Sequence, residues 1–124
     1  MLNNEAQAAT STLLLSPVSA AATANATSAW VDVRDSKGDI MFVVQTGAVA
    51  GTITWTVETA TDSSGTGGAA ITPSEGAFAA GAANQLQKRS IRANASKGFA
   101  RVVGTIVTGP SLVAASVHSR RGIV

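Results

Sequence analysis

Polar and apolar residues alternate without a break across residues 52–58. Ile53, Trp55 and Val57 fall on one side; Thr52, Thr54, Thr56 and Glu58 fall on the other. A period of two is the signature of a strand with one buried face. Residues 40–44 (Ile-Met-Phe-Val-Val) are instead continuously apolar. That run predicts a strand buried on both faces or central in a sheet. Shorter apolar segments at 30–33, 86–91, 99–107 and 112–117 add further strands. Turn residues separate them: Gly38 after Asp35 and Ser36, then Gly47 to Gly51, Pro73 to Gly76, Lys97-Gly98 and Gly109-Pro110. Gly104, inside a strand pattern, predicts a bulge or a point of close packing. The glycine-rich segment 60–70 predicts a mobile loop. Segment 78–84 is expected as a loop, because Gly81 would cost a helix about 1 kcal/mol relative to Ala. Short strands at this spacing predict an all-β fold, a small antiparallel β-sandwich or jelly-roll-like barrel.

The pattern divides the chain in three. Residues 1–28 are mostly Ala, Ser, Thr and Asn around one apolar knot at 13–18, and carry too little apolar mass to fold alone. They read as an extended N-terminal arm or a first edge strand. Residues 29–118 form the expected β domain, and 119–124 a C-terminal tail. At 124 residues the whole is one domain. No apolar stretch reaches the roughly 18 residues of a membrane span. A secretory signal is not expected, since residues 1–5 carry no Lys or Arg and Pro17 interrupts the apolar run.

Composition and charge sharpen this picture. There is no cysteine, which excludes disulfides and thiolate metal sites and fits synthesis in a reducing cytosol. The small side chains that dominate give a thin core, of the kind that leans on neighbours in an assembly. The net charge of +2 is split. Residues 1–87 hold two cations against seven acids, a net of −5; residues 88–124 hold seven cations and no acid, +7. Three readings follow: self-association or docking on an acidic protein surface, nucleic-acid binding, or mutual neutralisation once the sandwich brings the halves together.

Candidate chemistry is sparse. His118 is the lone histidine and has no nucleophile motif beside it, so it is expected as an exposed strand-end residue rather than a catalytic base. Asp32, Asp35 and Asp39 do not have the spacing of a calcium loop and read as turn residues. Gly65 to Gly68 lacks the Lys-Ser/Thr and the following helix of a phosphate cradle. Lys88, Arg89, Arg92, Lys97 and Arg101 form a basic block with only Phe99 near it, so a partner-facing β surface is preferred over a single-strand binder with stacking aromatics. Trp30 and Trp55 read as core residues rather than a sugar-stacking pair. No enzymatic function and no cofactor or metal is expected.

Several motifs together are similar to a class of small tailed-bacteriophage virion proteins. They are Trp30-Val-Asp-Val, Gly38-Asp-Ile-Met-Phe-Val-Val-Gln-Thr-Gly, Gly51-Thr-Ile-Thr-Trp-Thr-Val-Glu and Asp62-Ser-Ser-Gly. The later Gly98-Phe-Ala-Arg-Val-Val and Val107-Thr-Gly-Pro-Ser resemble that class's ending, with Phe99 and Ala100 replacing its usual Tyr-Val. The resemblance covers residues 29–118 and describes strands and turns. It implies a β-sandwich that decorates or cements a capsid, with the major capsid protein as partner. The expected setting is the capsid surface of the virion, after synthesis in the host cytoplasm, as a dimer or trimer on the shell. It implies no catalytic residue. The expected partner-binding residues are Leu13, Leu14, Leu15 and Val18 in the arm, with Lys88, Arg89, Arg92, Arg120 and Arg121 in the basic part. Neck or tail components of the same virion, and a host-surface carbohydrate-binding module, are the alternatives.

Overall fold

On β3 (Ser36–Val49) the residues Ile40, Phe42, Val44 and Thr46 are buried, while Met41 and Val43 between them are only half-buried. The strand is continuously apolar because it is central, flanked on one side by β8 (Ser111–Arg121) and on the other by β6 (Gln85–Arg92). The structure, a computed structural model, describes residues 9–22 and 26–121, and side chains within 11–120 of these. Residues 1–8 and the tail positions 122–124 lie outside the described residues, as does the side chain of Arg121.

Two four-stranded antiparallel sheets pack as a sandwich. Sheet A runs β1 (Ala9–Ala20), β8, β3, β6. Sheet B runs β2 (Val31–Asp32), β7 (Phe99–Ile106), β4 (Ile53–Ala60), β5 (Ala69–Ile71). The alternation across β4 holds: Ile53, Trp55 and Val57 are buried, and Thr54, Thr56 and Glu58 face outward. The core between the sheets is made largely of Val, Ile and Ala around Phe42 and Trp55, closed at the edges by Leu14, Val33 and Phe78. Of the two readings for the N-terminal segment, residues 9–20 take the second. They pair with β8 as an edge strand, with register shifts between Leu13 and Leu15 and between Leu15 and Val18.

Gly104 is a close-packing point, not a bulge. The β4–β7 register runs through it unbroken, and a Cβ there would sit 2.9 Å from Ile53 and 3.0 Å from Trp55. The segment 60–68, expected to be mobile, is an organised turn. Ser64 and Thr66 donate their backbone N–H groups to the Asp62 carboxylate at 2.9 and 3.1 Å, and the Thr61 N–H donates to the Thr66 carbonyl at 2.9 Å. Hydrogen bonding from Thr66, side chain first and then backbone, holds the Asp62 carboxyl below its ordinary range. Gly65, at φ +87°, lies so close to Trp30 that a Cβ would come within 2.8 Å of the indole nitrogen. The glycines here are spent on that approach, and the aspartate supplies the order they lack. Among the described residues no helix is long and apolar enough to cross a membrane.

Candidate docking surface

Residues directly opposite each other on paired strands share a face, so the registers of sheet A define its exterior. Leu13, Ser116, Val43 and Lys88 form one row across all four strands. Ser11, His118, Met41 and Ser90 form the next, and Ala114, Gln45 and Leu86 the row on the other side. Leu13 is 59% exposed, Leu86 53% and Leu112 47%. With half-buried Met41, Val43 and Ala114 they make a largely apolar field, interrupted by Gln45, His118, the serines and, at the β6 end, Lys88. The register shifts in β1 open a groove of about 410 Å³ in this field, lined by Pro17, Val18, Leu112 and Ala114. Exposed apolar side chains scattered singly are ordinary, but several on one sheet face are not.

Cations rim the field. Lys88 and Arg92 project from β6, and Arg120 is the register partner of Lys37 at the far end. Asp39, opposite Arg92, and Glu75, bound to Ser90, are acids in that rim. The expected binding residues therefore divide. Leu13, Lys88, Arg92 and Arg120 lie on or beside one exterior, while Val18, the register partner of core residue Val113, meets it only at the groove. Leu14 is a core residue at 8% exposure, and Leu15 packs against the core. Arg89 shares a row with Phe42 on the inner side of β6. Its guanidinium stacks over Phe78 at 5.6 Å and donates to the carbonyls of Ala77 and Lys88. Leu86, Leu112, Met41 and Val43 join the surface without having been singled out. Alternation alone marks them as outward, but only the register shows that they meet.

The exterior of sheet B is built differently. Arg101 and Glu58 are direct cross-strand partners, 2.7 Å apart and each less than a third exposed. The same guanidinium lies 4.4 Å from the Trp30 ring centre. Asp32 accepts two hydrogen bonds from the Arg34 side chain, at 2.9 and 2.7 Å, and a third from its backbone N–H. These bonds, the side-chain ones first, lower the Asp32 carboxyl from 3.8 to about 2. Arg34 in turn covers Phe99 at 5.1 Å, and Lys97 donates to the Gly67 carbonyl at 2.7 Å. Trp55 is 2% exposed, as expected of a core residue, whereas Trp30 is half-buried and stacked by Arg101. The two indoles do not form an open stacking platform.

His118 is not at a strand end. β8 continues to Arg121, and the half-buried imidazole hydrogen-bonds Ser11 through Nδ1 at 2.8 Å and Ser116 through Nε2 at 2.9 Å. The contact ties edge strand β1 to β8. Neither ring nitrogen has a carboxylate to orient it, which a triad requires. Asp32, Asp35 and Asp39 do not converge: the first is engaged by Arg34, and among the described residues no group of three His, Asp or Glu side chains is placed to hold a metal ion.

The edge strand β6 is guarded on its free side. Glu75 accepts from the Ser90 N–H at 2.8 Å and from its hydroxyl at 2.7 Å, and the Ser74 N–H donates to the Ser90 carbonyl at 2.7 Å. A loop that occupies the edge blocks strand addition there. The available surface of sheet A is thus its face rather than its β6 edge. A scan against protein-family models matches none, and a search of the curated proteins finds no match.

Proposed function

We propose that the protein is a non-enzymatic virion structural protein, a decoration or cement protein of a tailed-phage capsid, that docks on the shell through the exterior of sheet A. The observation that carries this reading is the placement of Leu13, Leu86 and Leu112 on one sheet exterior with a basic rim, opposite an exterior whose charges are already paired. An apolar centre with a charged rim is the anatomy of a protein–protein interface. The motif resemblance supplies the shell as the partner. Copies arrayed on a symmetric shell turn weak contacts into strong retention through effective concentration.

The test is to mix purified protein with capsid shells lacking it. Co-sedimentation at hundreds of copies per particle, with a rise in shell melting temperature, is the expected result. Absence of both would end the reading. Binding at about a dozen copies would move the protein to the neck or tail.

A further inference from the structure

At one end of the sandwich the turn after β2 and the segment after β6 face each other, joined by the Val33 N–H donating to the Gly98 carbonyl at 2.8 Å. Between them lies a cleft of about 550 Å³. Arg34, Lys37, Arg92 and Lys97 line it, with Ser36 and Asn94 as polar companions, and no acidic side chain contributes to its wall. Asp32, bound to Arg34 at 2.7 Å, Asp39, opposite Arg92, and Asp35, beside Arg34, are acids around it. Two of the four cations are pinned by the fold: Arg34 by Asp32, and Lys97 by the Gly67 carbonyl. Lys37 and Arg92 are exposed.

We infer that this cleft binds the carboxylates of an acidic peptide segment on a protein partner. The choice of a protein partner rests on the docking reading; the charge of the cleft does not. With Arg34 already paired to Asp32, the remaining cations Lys37, Arg92 and Lys97 outnumber the one acid opposite them, Asp39, and gain most from a ligand that carries several negative groups. Single-stranded nucleic acid is disfavoured because such sites stack bases on aromatic rings. The lining has no aromatic residue, and neighbouring Phe99 is covered by Arg34. A single phosphate is served less well than a run of carboxylates, because Asp32 already engages one of the two guanidinium forks and the exposed cations Lys37 and Arg92 stand on separate strands. A flexible run of Asp or Glu can reach Lys37 and Arg92 separately. Both also border the exterior of sheet A, so an acidic segment seated here would continue the docking face.

The experiment is fluorescence anisotropy with labelled hexaglutamate at low salt, with hexaglutamine, inorganic phosphate and a single-stranded oligonucleotide as competitors. No shell is used, so the result is separate from that of shell binding. Saturable binding of hexaglutamate is expected, displaced by neither hexaglutamine nor phosphate. Lys37→Gln and Arg92→Gln should each weaken it about tenfold through loss of a charge-assisted contact. Thr105→Glu, an equal charge change on the exterior of sheet B, should weaken it less than about twofold. Arg92→Lys should retain binding, which guards against a folding defect in Arg92→Gln. No saturable binding, losses from Lys37→Gln and Arg92→Gln no larger than that from Thr105→Glu, or tighter binding of the oligonucleotide or phosphate than of hexaglutamate would overturn the inference.

Discussion

The two exteriors of the sandwich are made by strands of the same kind and share one core, yet they differ in what they leave exposed. On sheet B, Arg101 is held by Glu58 and by the face of Trp30, Arg34 by Asp32, and Lys97 by a loop carbonyl. On sheet A, leucines stand exposed among half-buried apolar residues, and Lys88 and Arg92 project at the rim. The lesson is that charge count does not mark a binding face. Both exteriors carry arginine; they differ in that sheet A leaves leucines exposed, whereas sheet B covers its rings with paired arginines. An exterior that leaves apolar side chains exposed inside a charged rim is available for another molecule, and one whose rings are covered by paired charges is not.

The contrast can be broken at several depths. Since both exteriors rest on one core, Phe42→Ala should destabilise the whole sandwich by about 3–5 kcal/mol in denaturant unfolding. A small loss there would mean the sheets are not mutually dependent. Arg101→Ala should cost about 1–3 kcal/mol, because it leaves half-buried Glu58 without its cation and uncovers Trp30. A change near zero would show that sheet B's exterior is no more tied than sheet A's.

Acid gives a third cut. The carboxyls of Asp32, Asp62 and Glu75 are all depressed in the folded protein, by hydrogen bonds from Arg34, Thr66 and Ser90 respectively. A group with a lowered folded pKa binds protons more readily when unfolded, so its contribution is complete above the ordinary value and fades as pH falls. For Asp32 that window runs from 3.8 down to about 2. Unfolding midpoints should therefore fall on acidification through this range, and Asp32→Asn should flatten the fall. An unchanged curve would remove the Arg34 pairing from the account. The smallest effect should come from the exposed leucines: Leu13→Lys, Leu86→Lys and Leu112→Lys should each change stability by no more than about 0.5 kcal/mol. A large loss would make them structural.

How much of this was legible in the sequence differs by element. The alternation of β4 settles which residues enter the core, because a pleated strand can bury Ile53, Trp55 and Val57 together in only one way. The apolar run of β3 marks a central strand. What local pattern could not supply was pairing. β8 lies between β1 and β3 although most of the chain separates it from β1, and the rows that unite Leu13, Val43 and Leu86 exist only through that register. For the same reason the opposed charges of the two halves resolve in part. Glu58 meets Arg101 across 43 residues, while Asp32 is satisfied by its neighbour Arg34, and Lys37, Arg92 and Lys97 leave the cleft with an excess of cations. The turn at 60–68 shows the reverse case, in which one aspartate orders a glycine-rich segment that composition alone marks as mobile.

The most direct measurement compares the two exteriors in one binding assay. A Leu13→Lys/Leu86→Lys/Leu112→Lys variant and a Thr54→Lys/Thr105→Lys variant would each be mixed with shells lacking the protein, after melting curves confirm that both are folded. The account predicts that the sheet A variant fails to sediment with shells, while the sheet B variant binds as the parent does. Parent-like binding by the sheet A variant, or loss of binding confined to the sheet B variant, would contradict it.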